Sequence, residues 1–222
     1  MKKYFLGIVA LVLLFALTSC AGSDQNDTST SSQGNDNVQT GNSLSTEAEN
    51  GDSAESTEPE ILVAYFSATN NTAGIAADIA ESLDADLYAI TPAEAYTAAD
   101  LDYNNDNSRT SIEMNDPDSR PAIGGDSVEN MADYNIVFIG YPIWWGQAPR
   151  IISSFMESYD FSGKTIVPFC TSGSSDIGSS AANLQTLTVD AVWLAGQRFS
   201  SNASHDSIVE WLNSLAINVS AE

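Results

Sequence analysis

The sequence predicts an α/β protein built on a doubly wound, five-stranded parallel sheet. Two observations carry that expectation. Short continuous apolar runs, rich in branched and aromatic residues, recur from residue 61 onwards. A run apolar on both sides suits a strand buried on both faces, as parallel sheets bury theirs. Between the runs lie segments of helical period, and strand-then-helix alternation is the order of linked βα units.

The chain starts with Met1-Lys-Lys, then an apolar run of fourteen residues from Tyr4 to Leu17. That is short of the ~20 residues a membrane helix needs and suits a signal-peptide core. Leu17-Thr-Ser-Cys20 resembles the lipobox of bacterial lipoproteins. The resemblance implies removal of residues 1–19 and lipid attachment at Cys20. An ordinary secretory signal with an incidental cysteine is the alternative. Residues 21–59 hold no Lys, Arg or aromatic residue. Such a stretch buries too little apolar surface to offset its ordering entropy, so 20–59 is expected to be a disordered tether. As a flexible coil it would reach roughly 35 Å. Residues 60–222 remain as one domain, enough for a real core.

The first strand is predicted at Ile61–Phe66. A knot of small polar residues follows, Ser67-Ala68-Thr69-Asn70-Asn71-Thr72. Then Ile75, Ile79 and Leu83 recur at helical spacing. A loop between strand and helix opens onto a helix N-terminus, whose free N–H groups and positive dipole end suit a phosphate. No Lys or Arg lies nearby. The loop therefore suits one phosphomonoester held by neutral donors. The Walker and dinucleotide glycine patterns are both absent. The same residues also suit plain helix N-capping.

The second strand is predicted at Asp86–Thr91, closed by Pro92. Residues 93–133 form an irregular excursion: a short helix over Glu94–Tyr103, Asn- and Asp-rich turns, and one helical turn at Ser111–Met114. Arg109 and Arg120 are candidates to hold it down through carboxylate pairs. The third strand, Ile136–Gly140, runs into Tyr141-Pro142-Ile143-Trp144-Trp145-Gly146. Adjacent indoles on a loop point in different directions, so at least one is expected at the surface, at the sheet edge where open α/β folds bind ligands. A planar tricyclic ring would cover it. A helix from Ala148 follows, then a fourth strand, Thr165–Cys170, ending in Thr171-Ser172-Gly173. A helix over Gly178–Leu187, a fifth strand at Val189–Leu194 and a closing helix at Ser207–Leu215 complete the domain.

Composition excludes several classes. The net charge of −23 opposes nucleic-acid binding and adsorption to an anionic lipid surface. The single histidine, His205, rules out a histidine metal cluster and makes a Ser-His-Asp triad an unpromising reading; a surface or capping role fits it better. Cys170 is the one cysteine of the domain.

Phe66–Thr72, Tyr141–Gly146 and Pro168–Gly173, at three successive strand ends, resemble the motifs of a flavodoxin-like family with strand order 2-1-3-4-5. The resemblance implies FMN as cofactor. Ser67, Ala68, Thr69, Asn70, Asn71 and Thr72 would take its phosphate. Pro142, Ile143, Trp144, Trp145 and Gly146 would stack on the isoalloxazine. Cys170, Thr171, Ser172 and Gly173 would meet the pyrimidine edge through backbone groups. The excursion replaces a regular second helix of that family. Two functions compete: an electron carrier tethered outside the cytoplasm, or an FMN-dependent NAD(P)H:quinone or flavin oxidoreductase. The first implies redox partner proteins or a membrane electron donor, with membrane contact only through the lipid anchor. An FMN-free binding module ranks last.

Overall fold

Six strands assemble one sheet in the computed structural model, which describes residues 59–217. The expected signal peptide, Cys20 and all but the last residue of the tether lie outside the described residues. β1 (Ile61–Tyr65) and α1 (Asn71–Leu83) are followed by β2 (Asp86–Ala89). β5 (Ile136–Pro142) leads to α3 (Arg150–Ser158), and β6 (Thr165–Thr171) to α4 (Ser180–Gln185). β7 (Val192–Trp193), β8 (Gln197–Phe199) and α5 (His205–Ser214) close the fold. The sheet order is β2-β1-β5-β6-β7, all parallel, with β8 also paired to β6. This is the expected 2-1-3-4-5 arrangement.

Each face of the sheet is covered. Leu62, Ala64, Val137 and Ile139 pack against Ile151, Ile152, Phe155 and Met156 of α3. Val63, Phe138 and Val167 pack against Ile75 and Ile79 of α1 and Ile208, Trp211 and Leu212 of α5. The alternation of side chains along each strand feeds both cores, which is why the runs are continuously apolar.

Three expected elements differ. The second strand leaves the sheet after Ile90, whose N–H still donates to the Tyr65 carbonyl at 2.7 Å. β3 (Thr91–Pro92) then pairs antiparallel with β4 (Ile123–Gly124) in a separate ribbon. The helix expected over Glu94–Tyr103 is a series of turns. Asp100 Oδ2 accepts from both the N–H and the hydroxyl of Thr97, at 2.8 and 2.7 Å, a local staple that competes with helix. α2 (Arg109–Asn115) is longer than the single expected turn, and Ser108 caps it by accepting from the Ser111 N–H.

The fifth strand, expected over Val189–Leu194, is reduced to β7, and a further strand that the sequence did not signal, β8, follows it on the same edge of β6. Val189 is 73% exposed, and Asp190 turns the chain at a φ of 55°. The gap between β7 and β8 lies opposite Pro168, which has no N–H to offer a ladder. Gly196 passes there so closely that a Cβ would lie 2.8 Å from the Pro168 carbonyl oxygen.

The excursion is pinned as its arginines suggested. Arg120 meets Glu157 of α3 through two bonds, 2.7 and 2.8 Å. Arg109 bonds Glu113 at 2.7 Å, donates to the Glu94 carbonyl, and lies 4.0 Å over the Tyr96 ring.

Candidate functional site

The carboxyl ends of β1, β5 and β6 bring the three predicted loops to one edge. Ser67 leaves β1 with its Oγ buried and without a hydrogen-bond partner among the described residues. Asn70 turns the chain into α1 at a φ of 64° and gives the helix no side-chain cap. The first N–H groups of a 13-residue helix are thus left facing the loop. Asn71 Nδ2 donates to Thr69 Oγ1 at 3.2 Å. The Thr72 hydroxyl points elsewhere: it is buried and shares a 2.8 Å bond with the Thr171 hydroxyl. As a side-chain donor to a ligand, Thr72 is therefore corrected to a buried tie between the first and third loops.

The second loop is a tight turn. Trp144 and Gln147 exchange two backbone bonds of 2.9 Å. The central pair, Trp145 and Gly146, have φ of 48° and 73°. Two positive φ values mark a type I′ turn. Gly146 adopts this freely, whereas for a bulky Trp it is a sparsely populated conformation that the neighbouring structure must impose. The two indoles divide as expected. Trp144 packs edge-on to Phe66 and Tyr96, both at 5.5 Å. Trp145 is 49% exposed. Pro142 is the last residue of β5, and the Ile143 N–H donates to the Thr171 carbonyl at 3.0 Å, joining the second loop to the third.

Trp144, Trp145, Pro142, Ala68 and Thr69 line a cleft of about 160 Å³. Leu101, Tyr103 and Thr110 of the excursion complete it. Burial of Tyr96, reinforced by its 2.6 Å bond to Glu113, holds that phenol well above its ordinary pKa, so it stays a neutral donor behind Trp144.

The third loop is shaped by a cation. Arg198 Nη2 donates to the carbonyls of Ser172 and Gly173, at 3.2 and 2.9 Å. Ser172 Oγ donates to the Ser175 carbonyl. With Asn71 and Thr171, Ser172 and Gly173 line a cavity of about 370 Å³ closed by Ser200, Ser201 and Asn202. Cys170 does not reach it. Its side chain is fully buried, and its backbone sits in register between Tyr141 and Arg198 of the flanking strands. Burial also pushes its thiol up to about 12, so it is inert as well as remote.

Sequence reading missed Arg198 and Ser200–Asn202 because it missed β8. Once Gln197–Phe199 is a strand, the loop after it falls at the same carboxyl edge. It also missed Leu101 and Tyr103, whose only sequence signal was a tyrosine beside an Asn-rich turn.

Fold and site together define a doubly wound α/β protein with a ligand cleft at the switch of its parallel sheet. A family model described as Flavodoxin matches residues 60–215, and the chain belongs to the flavodoxin family. It is 49% identical to a candidate flavoprotein from Bacteroides eggerthii, over 72% of this chain and 100% of that one, with a TM-score of 0.68. A second, from Bacteroides uniformis, is 44% identical over 70% and 99% of the two chains, with a TM-score of 0.65. A flavoprotein from Lactobacillus acidophilus in complex with FMN shares the fold at 20% identity, covering 71% and 100%, with a TM-score of 0.53. No match was found among curated proteins.

Proposed function

We propose that this chain binds FMN and carries electrons at the outer face of a bacterial membrane, held there by a lipid on Cys20. The observation that carries the FMN reading is Ser67, whose buried hydroxyl lacks a partner beside an uncapped helix N-terminus. A buried polar group left unpaired costs about 1–3 kcal/mol, so this one is built for an acceptor. A phosphomonoester supplies acceptors, and the charge-free loop around Ser67 suits one. The Lactobacillus structure, with its FMN, supports the same cofactor.

Bound FMN supplies one- and two-electron chemistry. The chain's own residues bind and orient it. Asn70, Asn71 and the first turn of α1 would hold the phosphate with Ser67. Trp145 would cover one side of the ring, with Ala68, Thr69 and Pro142 beside it. Ser172 and Gly173, fixed by Arg198, would meet its polar edge.

A carrier fits better than a hydride-transfer enzyme. With Cys20 lipidated the domain lies outside the cytoplasm, where NAD(P)H is scarce, so electrons arrive from a membrane donor. The acidic surface suits a partner with a basic face. Steady-state assays with NAD(P)H and a quinone test this: slow or absent turnover supports the carrier, and rapid turnover overturns it. Labelling with a clickable fatty acid tests the anchor. The wild-type chain is expected to take label and Cys20→Ser to lose it; an unlabelled wild type would mean a plain secretory signal.

A further inference from the structure

A third cavity, of about 330 Å³, lies between α3, α4 and the excursion, beside the turn that carries Trp145. Arg120, Arg150, Gln147 and Asn183 line it together with Leu184 and Leu187. The described domain has only five Lys and Arg residues, and two of them meet here. No Asp or Glu is among the lining residues, in a chain that carries 30 of them.

The two guanidinium groups differ. Arg120 is neutralised by the two hydrogen bonds it donates to the Glu157 carboxylate. Arg150 donates to the carbonyls of Glu113 and Met114, at 3.3 and 3.0 Å. Those carbonyls orient it without cancelling its charge. It has no carboxylate partner among the described residues. Its Nη1 makes no hydrogen bond among them. Opposite, the Asn183 amide donates to Gln147 Oε1 at 2.5 Å, which fixes both side chains at the cavity wall.

We propose that this cavity binds a small organic carboxylate with an apolar body. Arg150 takes the carboxylate, because a fixed planar guanidinium matches its two oxygens. Leu184 and Leu187 take the body. A chain of net charge −23 offers no diffuse attraction for anions, so binding must come from this local geometry. The site is separate from the FMN cleft and stands whether or not FMN binds there.

The test titrates the full chain, with excess FMN present, using sodium benzoate and then its neutral isostere benzamide. The side-chain amide signals of Gln147 and Asn183 are followed by NMR. Benzoate is expected to shift both signals saturably, with benzamide at least about tenfold weaker. Arg150→Met and the cavity-filling Leu187→Trp are each expected to abolish the benzoate shifts. Equal binding of the two probes by the wild type overturns the proposal without reference to any variant. So does the absence of any shift at about 10 mM benzoate, ten times a Kd of about 1 mM.

Discussion

The hydroxyls of Thr72 and Thr171, 99 positions apart in sequence, share one buried hydrogen bond of 2.8 Å. The bond ties the first turn of α1 to the end of β6. Thr72→Val keeps the shape and strands the Thr171 hydroxyl in the core. An unsatisfied buried hydroxyl costs about 1–3 kcal/mol of stability. Urea unfolding is expected to show that loss, and Thr72→Ser to recover most of it. Wild-type stability in Thr72→Val would mean that the bond contributes nothing.

Trp145 is the exposed indole of the site, and Trp144 its support. Trp145→Ala is expected to weaken FMN by up to about tenfold, since aromatic stacking adds about 0.5–1.5 kcal/mol beyond area burial. Most of the indole quenching on FMN binding is expected to vanish with it. Trp144→Ala removes packing on Phe66 and Tyr96, so its main effect is expected on thermal stability. Fluorescence titration and thermal melts of both variants separate the two roles. Trp211 is buried in the core, whereas Trp193 is only partly buried, its indole N–H donating to the Thr188 hydroxyl at 2.9 Å.

His205 opens α5 and lies with its Nδ1 2.5 Å from Asp78 of α1. The hydrogen bond to Asp78 and its charge raise the His205 pKa, with Asp206 and Glu81 adding to the field. A raised folded pKa means that the pair stabilises fully below the unfolded value, about 6.5. The contribution is lost as pH rises through the folded value. Melting curves of His205→Gln are expected to fall below wild type at pH 5.5 and to converge with it at pH 9. A constant gap across that range would contradict the ion pair.

Charge is expected to set the midpoint potential of bound flavin. Each of the five cations of the described domain is engaged: Arg109 and Arg120 by carboxylates, Arg150, Arg198 and Lys164 by backbone carbonyls. The carbonyls leave the last three charged, but carboxylates outnumber the cations, so the surface opposes added negative charge. One carboxylate about 12 Å away, at a dielectric near 20, opposes it by roughly 1.4 kcal/mol before screening, or about 60 mV for one electron. Exposed charges are screened, so the sum lies well below a multiple of that. The potential is expected below that of free FMN and to rise between about 0.01 and 1 M salt. Arg198→Gln, which removes the guanidinium behind the third loop, is expected to lower it further. Potentiometric titration checks all three directions.

What could be read without coordinates follows from how local each signal is. β1, its polar loop and α1 were legible because an apolar run and a helical period sit side by side. That at least one of Trp144 and Trp145 lies at the surface followed from geometry that any turn imposes; which one it is did not. The Thr72 hydroxyl was misplaced because a motif shows adjacency but not which side of a helix a side chain faces; the role expected of Cys170 ran through its backbone, which side-chain burial leaves untouched. The break between β7 and β8, where Gly196 passes Pro168, is a contact between distant residues. So is the wall that Leu101 and Tyr103 give the cleft. No local pattern contains either.

The most direct test of the central claim compares FMN with riboflavin on wild type and Ser67→Ala. The two ligands differ by the phosphate alone. Wild type is expected to bind FMN far more tightly, and Ser67→Ala to lose about 1–3 kcal/mol of FMN affinity while leaving riboflavin unchanged. Equal affinity of the wild type for the two flavins would contradict the account.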